Sequence, residues 1–468
     1  DASMGMTTRR TFLAGAAGAA LAGPPALSAV GSARTLTARA SAVQLVPEGN
    51  PATTIWSYDG TLPGPVIRLP RGARLERELV NALEVPTTVH WHGIRLPIAM
   101  DGVPGVSHPA VKPGERFLYD FALRDPGTYW YHPHVRSWEQ VARGLSGALV
   151  VEETAPPVVD RDEVLLLDDW RLGPDAQIQD SFENMHDRAH AGRIGNWITV
   201  NGKGEVSLKA PLHARLRLRL VNAATARIFS LGLQGLEGWV VALDGHALPS
   251  PQPFDRISLA PAQRADVIVD VTGGGDGADE TAFLVSHERD GAFALVSVEI
   301  EGEARGERLG PPAALEQGTV PPLGDLGRAQ RARLVMEGGA MGGLAEARLR
   351  GETLPIRELA ARGKAWAFNG EAGVPDEPLV RASLGETVRI EIENRTRWPH
   401  AMHLHGHHFR EIASGGAAPG PLRDTLLVRP MTNTEIAFVA DNPGDWLFHC
   451  HMLAHAAGGM QSWIRVGG

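Results

Sequence analysis

The chain has 468 residues, 43% of them hydrophobic and 21% charged, a length that suits roughly three domains and a composition that excludes a disordered chain. A net charge of −9, from 45 basic and 54 acidic side chains, comes with no basic stripe and excludes a phosphate-tracking nucleic-acid binder. The single cysteine, Cys450, excludes an intrachain disulfide, and the 18 histidines make metal ligation the first question.

The first element in chain order is an address label. Arg9 and Arg10 precede Phe12-Leu13 and an apolar, small-residue run from Ala14 to Ala22. A positive start, a short apolar stretch and small residues near a cleavage point read as a secretory signal, and the paired arginines resemble the twin-arginine export signal. The run is too short to span a bilayer. The expectation is a signal over residues 1–40, cleaved between Ala29 and Ala40, and a periplasmic protein with no membrane insertion after cleavage.

Beyond it the chain repeats itself. Pro65-Val66-Ile67-Arg68, Gly72, Asn81, Pro86, His90, His92 and Gly93 match Pro378-Leu379-Val380-Arg381, Gly385, Asn394, Pro399, His403, His405 and Gly406 without a gap. A second block matches Pro126-Gly127, His132 and His134 to Pro443-Gly444, His449 and His451. A middle copy is marked by Leu220-Val221-Asn222-Ala223 against Leu79-Val80-Asn81-Ala82, with Leu231 and Leu233 where the paired histidines would stand. The scaffold is kept there and the ligands are lost.

Each copy reads as strands. Leu216 to Leu220 and Val388 to Ile392 alternate apolar and polar with period two, the mark of half-buried strands. The fold class is therefore all-β, with β-sandwich domains over 41–155, 156–315 and 316–468 and seams near Glu152–Pro157 and Gly302–Gly324. Arg328–Lys364, richer in Ala, Arg and Glu, reads as a helix or a disordered loop.

Four histidine clusters carry the chemistry: His90/His92, His132/His134, His400/His403/His405, and His449-Cys450-His451 followed by His455 and Met460. Two histidines, a cysteine and a weak methionine form the blue-copper electron-transfer set, and His400, Cys450, His455 and Met460 supply it. In an extended tripeptide Cys450 points to one face while His449 and His451 point to the other. One metal is thereby wired to others through a single peptide. The remaining eight motif histidines form four pairs, two from each end of the chain, and exceed what one ion needs. The first copy carries Pro133, Trp138 and Thr87 where the third has Cys450, His455 and His400, so only the third copy can hold the thiolate site.

In order and spacing, these four motifs resemble the multicopper oxidases. The resemblance runs from Thr53 to Val466 and implies three consecutive cupredoxin-like Greek-key domains and four copper ions. It implies that His90 and His403 bind the type 2 ion, that His92, His132, His134, His405, His449 and His451 hold the type 3 pair, and that His400, Cys450, His455 and Met460 bind type 1. The partners implied are dioxygen and a small-molecule electron donor, and the expected state is a monomer. Asp101, downstream of Gly93, resembles the family acid near the cluster. Ala454 stands where many bacterial relatives place Glu, which leaves Glu139 or a water chain as a further proton source. The expected activity is laccase-like oxidation of phenols. The alternatives are a cuprous or other metal oxidase, for which the methionine-rich insert is reduced to Met336 and Met341, and a non-enzymatic scaffold of the division-protein type. Trp398, beside His400, is a candidate wall for an aromatic donor. Met402 and Met452 read as packing and the eight histidines outside the motifs as ordinary, with His407 and His408, which flank the cluster motif, as candidate supports of its ligands.

Overall fold

The three asparagines aligned by the repeat do the same work in space. The carboxamide Nδ2 of Asn81 donates to the carbonyls of Val85 and Val111, that of Asn222 to Arg227 and Leu259, and that of Asn394 to Trp398 and Arg429. In each copy the side-chain oxygen accepts the N–H two residues on. Each asparagine thus clamps the turn that leaves its strand, supplying partners to buried backbone groups that no ladder reaches. The computed structural model describes residues 34–273, 281–289, 291–413 and 418–467.

Strand pairing repeats with the same logic. In the first copy, Arg34–Val43 runs parallel to Arg74–Asn81, and Gly64–Pro70 parallel to Gly147–Glu152. The middle copy pairs Arg161–Trp170 with Arg215–Asn222 and Val206–Leu212 with Gly291–Glu303. The third pairs Gln330–Gly338 with Thr387–Asn394 and Val380–Ser383 with Gln461–Gly467. Two sheets of four strands, a six and a five, and again a six and a five make three consecutive cupredoxin-like Greek-key sandwiches. Apolar faces of each sheet pair fill the cores, as Leu75, Leu79 and Phe121 do in the first and Val388, Ile390 and Phe438 in the third.

Three expectations change. The strand Arg34–Val43 buries Leu36 and Ala38 and pairs on both sides, so the limit at residue 40 falls inside the first sheet. Residues 1–33, with Arg9 and Arg10, lie outside the described residues. The strand Arg215–Asn222 is buried on both faces. Its arginines point into ion pairs, Arg215 to Asp270, Arg217 to Asp266 and Glu153, and Arg219 to Asp162, with Arg219 also reaching Thr128 of the first sandwich. Its polar face lies against Thr128 and Glu153 at the junction with the first sandwich rather than against water, and Asp162, Asp266 and Asp270 on the flanking strands of its own sheet pair with its arginines. Finally, Arg328–Lys364 holds more strand than helix, with Gln330–Gly338, the hairpin Glu346–Leu349/Glu352–Pro355 and the short helix Ile356–Ala361. Among the described residues no helix is long and apolar enough to cross a membrane.

Candidate metal centres

The paired histidines are set by strand register. His90 stands opposite His132 between the strands His90–His92 and Gly127–His132, and His403 stands opposite His449 between His400–Leu404 and Gly444–Cys450. The same position in the middle copy holds Leu231 opposite Ser286. Period-two strands turn the two imidazoles of each H-x-H to one face, and the two outer sandwiches bring those faces together. His90 stacks on His405 with ring centroids 4.0 Å apart, and His92 on His403 at 3.7 Å. His405 Nε2 and His449 Nε2 are 3.1 Å apart, His132 Nε2 and His451 Nε2 3.3 Å, and His132 Nε2 and His92 Nδ1 3.4 Å. His134 packs edge-on to His405 and His449.

Six of these rings are oriented through one nitrogen. His90 Nδ1 donates to the Asp101 carbonyl (2.8 Å), His403 Nδ1 to the Asp424 carbonyl (2.9 Å), His132 Nδ1 to Pro133 and His449 Nδ1 to Cys450. His405 Nδ1 donates to the Asp101 carboxylate and His92 Nε2 to the Asp424 carboxylate. The opposite nitrogens then carry lone pairs that face one another in a buried space. Nε2 of His90, His134 and His403 and Nδ1 of His451 have no partner at all. Burial, followed by the neighbouring rings, pushes His132, His134, His405 and His451 well below the usual histidine range, and His449 to about 3. Neutral, converging, unpartnered imidazoles need a cation between them, and the set fits copper.

A second centre lies on the other side of the same peptide. Cys450 Sγ is 3.8 Å from both His400 Nδ1 and His455 Nδ1, which are 3.1 Å from each other. Thr396 Oγ1 holds His400 Nε2 at 2.8 Å, and His455 Nε2 donates to the His190 carbonyl at 2.7 Å, so both Nδ1 atoms face the thiol. Met460 is buried, its carbonyl accepting the Cys450 N–H and its own N–H donating to the His455 carbonyl. Burial pushes the Cys450 thiol up to about 12, and His455 down to about 4. The thiol is inert without a metal that displaces its proton.

Asp101 and the third-copy Asp424 are the carboxylates that touch the histidine cluster among the described residues. Burial alone would raise the Asp424 carboxyl, but the Arg264 guanidinium and His92 hold it well below the usual carboxylate range. Arg264, from the middle sandwich, grips it with two bonds of 2.9 and 2.7 Å. Gly93, with φ +88°, makes room for that pair, since a Cβ there would strike Arg264 and Asp424. Gly102, at φ +75°, lies against the Val89 carbonyl and brings Asp101 under His90. Asp424, Arg264 and His190 were not among the sequence expectations. Glu139 instead forms ion pairs with Arg136 and Arg143. His407 bonds the His405 carbonyl and His408 the Gly93 carbonyl, so both support the cluster backbone.

Three models of one family, each described as multicopper oxidase, match residues 39–156, 161–278 and 351–467. The chain is 30% identical to the multicopper oxidase MmcO of Mycobacterium tuberculosis, over 93% of this chain and 89% of that one. The chain belongs to the multicopper oxidase family. Among solved structures, a multi-copper oxidase from Pseudomonas thermotolerans superposes with a TM-score of 0.79 at 32% identity, covering 92% of this chain and 98% of that one. Lac15, from a marine microbial metagenome, superposes at 0.74 and 37% identity, covering 92% and 100%. This multicopper oxidase is thus a copper-dependent oxidoreductase that uses dioxygen, acting on a small-molecule donor, and the non-enzymatic scaffold is excluded.

Proposed function

We propose that this multicopper oxidase is laccase-like and takes electrons one at a time from phenols or similar small reductants. One observation carries the reading: Cys450 turns its thiol to His400 and His455, while its chain neighbours turn their rings to His405 and His132. In this reading His400, Cys450, His455 and Met460 hold type 1 copper, His90 and His403 type 2, and His92, His132, His134, His405, His449 and His451 the type 3 pair. Bound there, copper supplies one-electron uptake at the thiolate and four-electron reduction of dioxygen to water at the cluster.

The chain's own residues do the rest. Cys450 gives the electron a covalent path of one peptide in each direction. Asp101 orients His90 and His405 and is the carboxylate we assign to proton delivery, beside the bonds it already makes to both rings. Domains over 41–155, 156–315 and 316–468, a twin-arginine signal over residues 1–40, a periplasmic location, no membrane insertion after cleavage and a monomer complete the proposal.

Cuprous oxidation requires soft donors grouped at the surface near type 1. Met336 is buried in its strand, and only Met341 of that stretch reaches solvent, which favours the phenolic donor. Oxygen uptake by the copper-loaded protein, with guaiacol and with Cu(I) side by side, tests it. Faster turnover of Cu(I) would overturn the laccase-like reading.

A further inference from the structure

A cavity of about 550 Å³ lies where the middle sandwich meets the third, within the span of about 300 to 1,000 Å³ that small-molecule sites occupy. Three sheet edges border it: the outer strands His246–Pro253 and Arg256–Leu259 of the middle sandwich and the outer strand Leu422–Arg423 of the third. An open edge presents unpaired backbone donors and acceptors. Proline removes the donors, and Pro249 and Pro253 stand on one side of the cavity with Pro419 and Pro421 on the other. Val240, Leu243, Leu248 and Ile257 add aliphatic surface.

Two cations, Arg410 and Arg423, break this lining, and no carboxylate or aromatic ring joins them among the described residues around the cavity. Arg423 is already engaged, its Nε donating to Asp244 Oδ2 at 3.0 Å. Arg410 stands opposite Leu422 in the ladder and gives one N–H to the Gly420 carbonyl at 2.8 Å. Its guanidinium carries further donors, all fixed in one planar fork. Burial pushes Arg410 below the usual arginine range, with no carboxylate among the described residues to offset it. The arginines of the other joints differ, since Arg95, Arg217 and Arg264 face Asp125, Asp266 and Asp424. A half-buried cation beside an apolar space is costly until an anion pairs with it, and a carboxylate fits the fork with two parallel bonds.

We propose that this cavity binds a medium-chain aliphatic carboxylate, its headgroup paired with the Arg410 guanidinium and its chain laid along the prolines and aliphatic side chains. The uncompensated cation selects the charge. The absence of a ring among the described lining residues selects a flexible chain over an aromatic body, which would find nothing to stack on. The scarcity of donors and acceptors selects against sugars and other polyols. No bond is made or broken there, and the copper ligands take no part. Arg423 shares Asp244 with the N–H groups of Asp424 and Thr425, so it belongs to the support of the histidine cluster. Arg410 is therefore the residue to vary.

Isothermal titration of the copper-loaded protein with octanoate, octanol and 3-phenylpropionate tests this, with near-UV circular dichroism to show that each variant is folded. Octanoate should bind at one site, about tenfold more tightly than octanol, which has the chain without the charge. Arg410→Gln should raise the octanoate Kd about tenfold and leave octanol unmoved, and Arg410→Lys, which keeps the charge without the fork, should fall between. Ser258→Trp, at an exposed position on the cavity wall, should block both ligands. Should Arg410→Gln fail to fold, Ser258→Trp and the comparison of octanoate with octanol on the native chain decide. No octanoate binding, octanol binding as tight as octanoate, or native octanoate affinity in a folded Arg410→Gln or Ser258→Trp chain would overturn the inference. Tighter binding of 3-phenylpropionate would overturn the assignment of an aliphatic ligand.

Discussion

Asp101 and Asp424 are related by a pseudo-two-fold axis through the histidine cluster. Each offers its carbonyl to the first histidine of its own H-x-H pair, His90 or His403, and its carboxylate to the second histidine of the other pair, His405 or His92. The stacks His90/His405 and His92/His403 obey the same axis. The symmetry is broken by what lies behind each carboxylate. Asp424 is gripped by Arg264 and held ionised, whereas among the described residues the Asp101 carboxylate meets His90 and His405.

Asp101→Asn keeps the shape and one hydrogen-bond acceptor but removes the acid. Dioxygen uptake should fall about a hundredfold, the range of a lost general acid, while anaerobic bleaching of the blue absorption proceeds at the native rate. Unchanged uptake would remove Asp101 from proton delivery.

Cys450→Ser replaces the thiolate with a hydroxyl that binds copper far more weakly. The intense blue absorption should vanish, and metal analysis should show copper retained at the cluster but lost from the thiolate centre. A serine variant that stays blue would rule out the type 1 assignment.

Arg264→Leu leaves the Asp424 carboxylate buried without its cation. Breaking one partner of such a pair costs about 3 to 5 kcal/mol, to be read from denaturant unfolding of the copper-free protein. Adding Asp424→Asn to the same chain should restore part of the loss, because the uncompensated charge is then gone. Equal stability of single and double variants would show that the charge is not the cause.

His246 is buried with an unpartnered Nε2, its ring 4.0 Å from that of His408, and burial pushes it down to about 4 despite Asp125 and Asp424 nearby. The unfolded chain therefore takes up this proton first. The stability from a neutral His246 is whole above the ordinary histidine value of 6.5 and is lost as pH falls toward 4, a span worth about 3 kcal/mol. Denaturant unfolding between neutral pH and pH about 4.5 should give a shallower dependence in His246→Gln than in the native chain. Identical slopes would contradict the assignment.

The paired histidines of the cluster were legible because strand periodicity writes them locally. H-x-H on an extended chain is a one-face pair wherever the strands close, and the tripeptide around Cys450 carries its own two-faced geometry. The asparagine clamps were legible as matches in the repeat, though not as clamps, since their acceptors are supplied by turns of unrelated sequence. Asp424 and Arg264 left no local trace. Their partners are 160 residues apart in one case and 332 in the other, and a lone Asp or Arg in a strand looks the same whether it meets water or a buried counter-charge. The alternating strand Arg215–Asn222 misled for the same reason.

By itself the sequence determined the three-fold repeat, the silent middle copy and the one-face pairing of the H-x-H histidines, because all of these follow from spacing along a strand. Only the tertiary structure decided that Arg264 holds Asp424 ionised, how the outer sandwiches mate about an axis and what covers His455. Those depend on desolvation and on contacts between segments far apart in the chain, and desolvation is a property of the folded surroundings that no local spacing encodes.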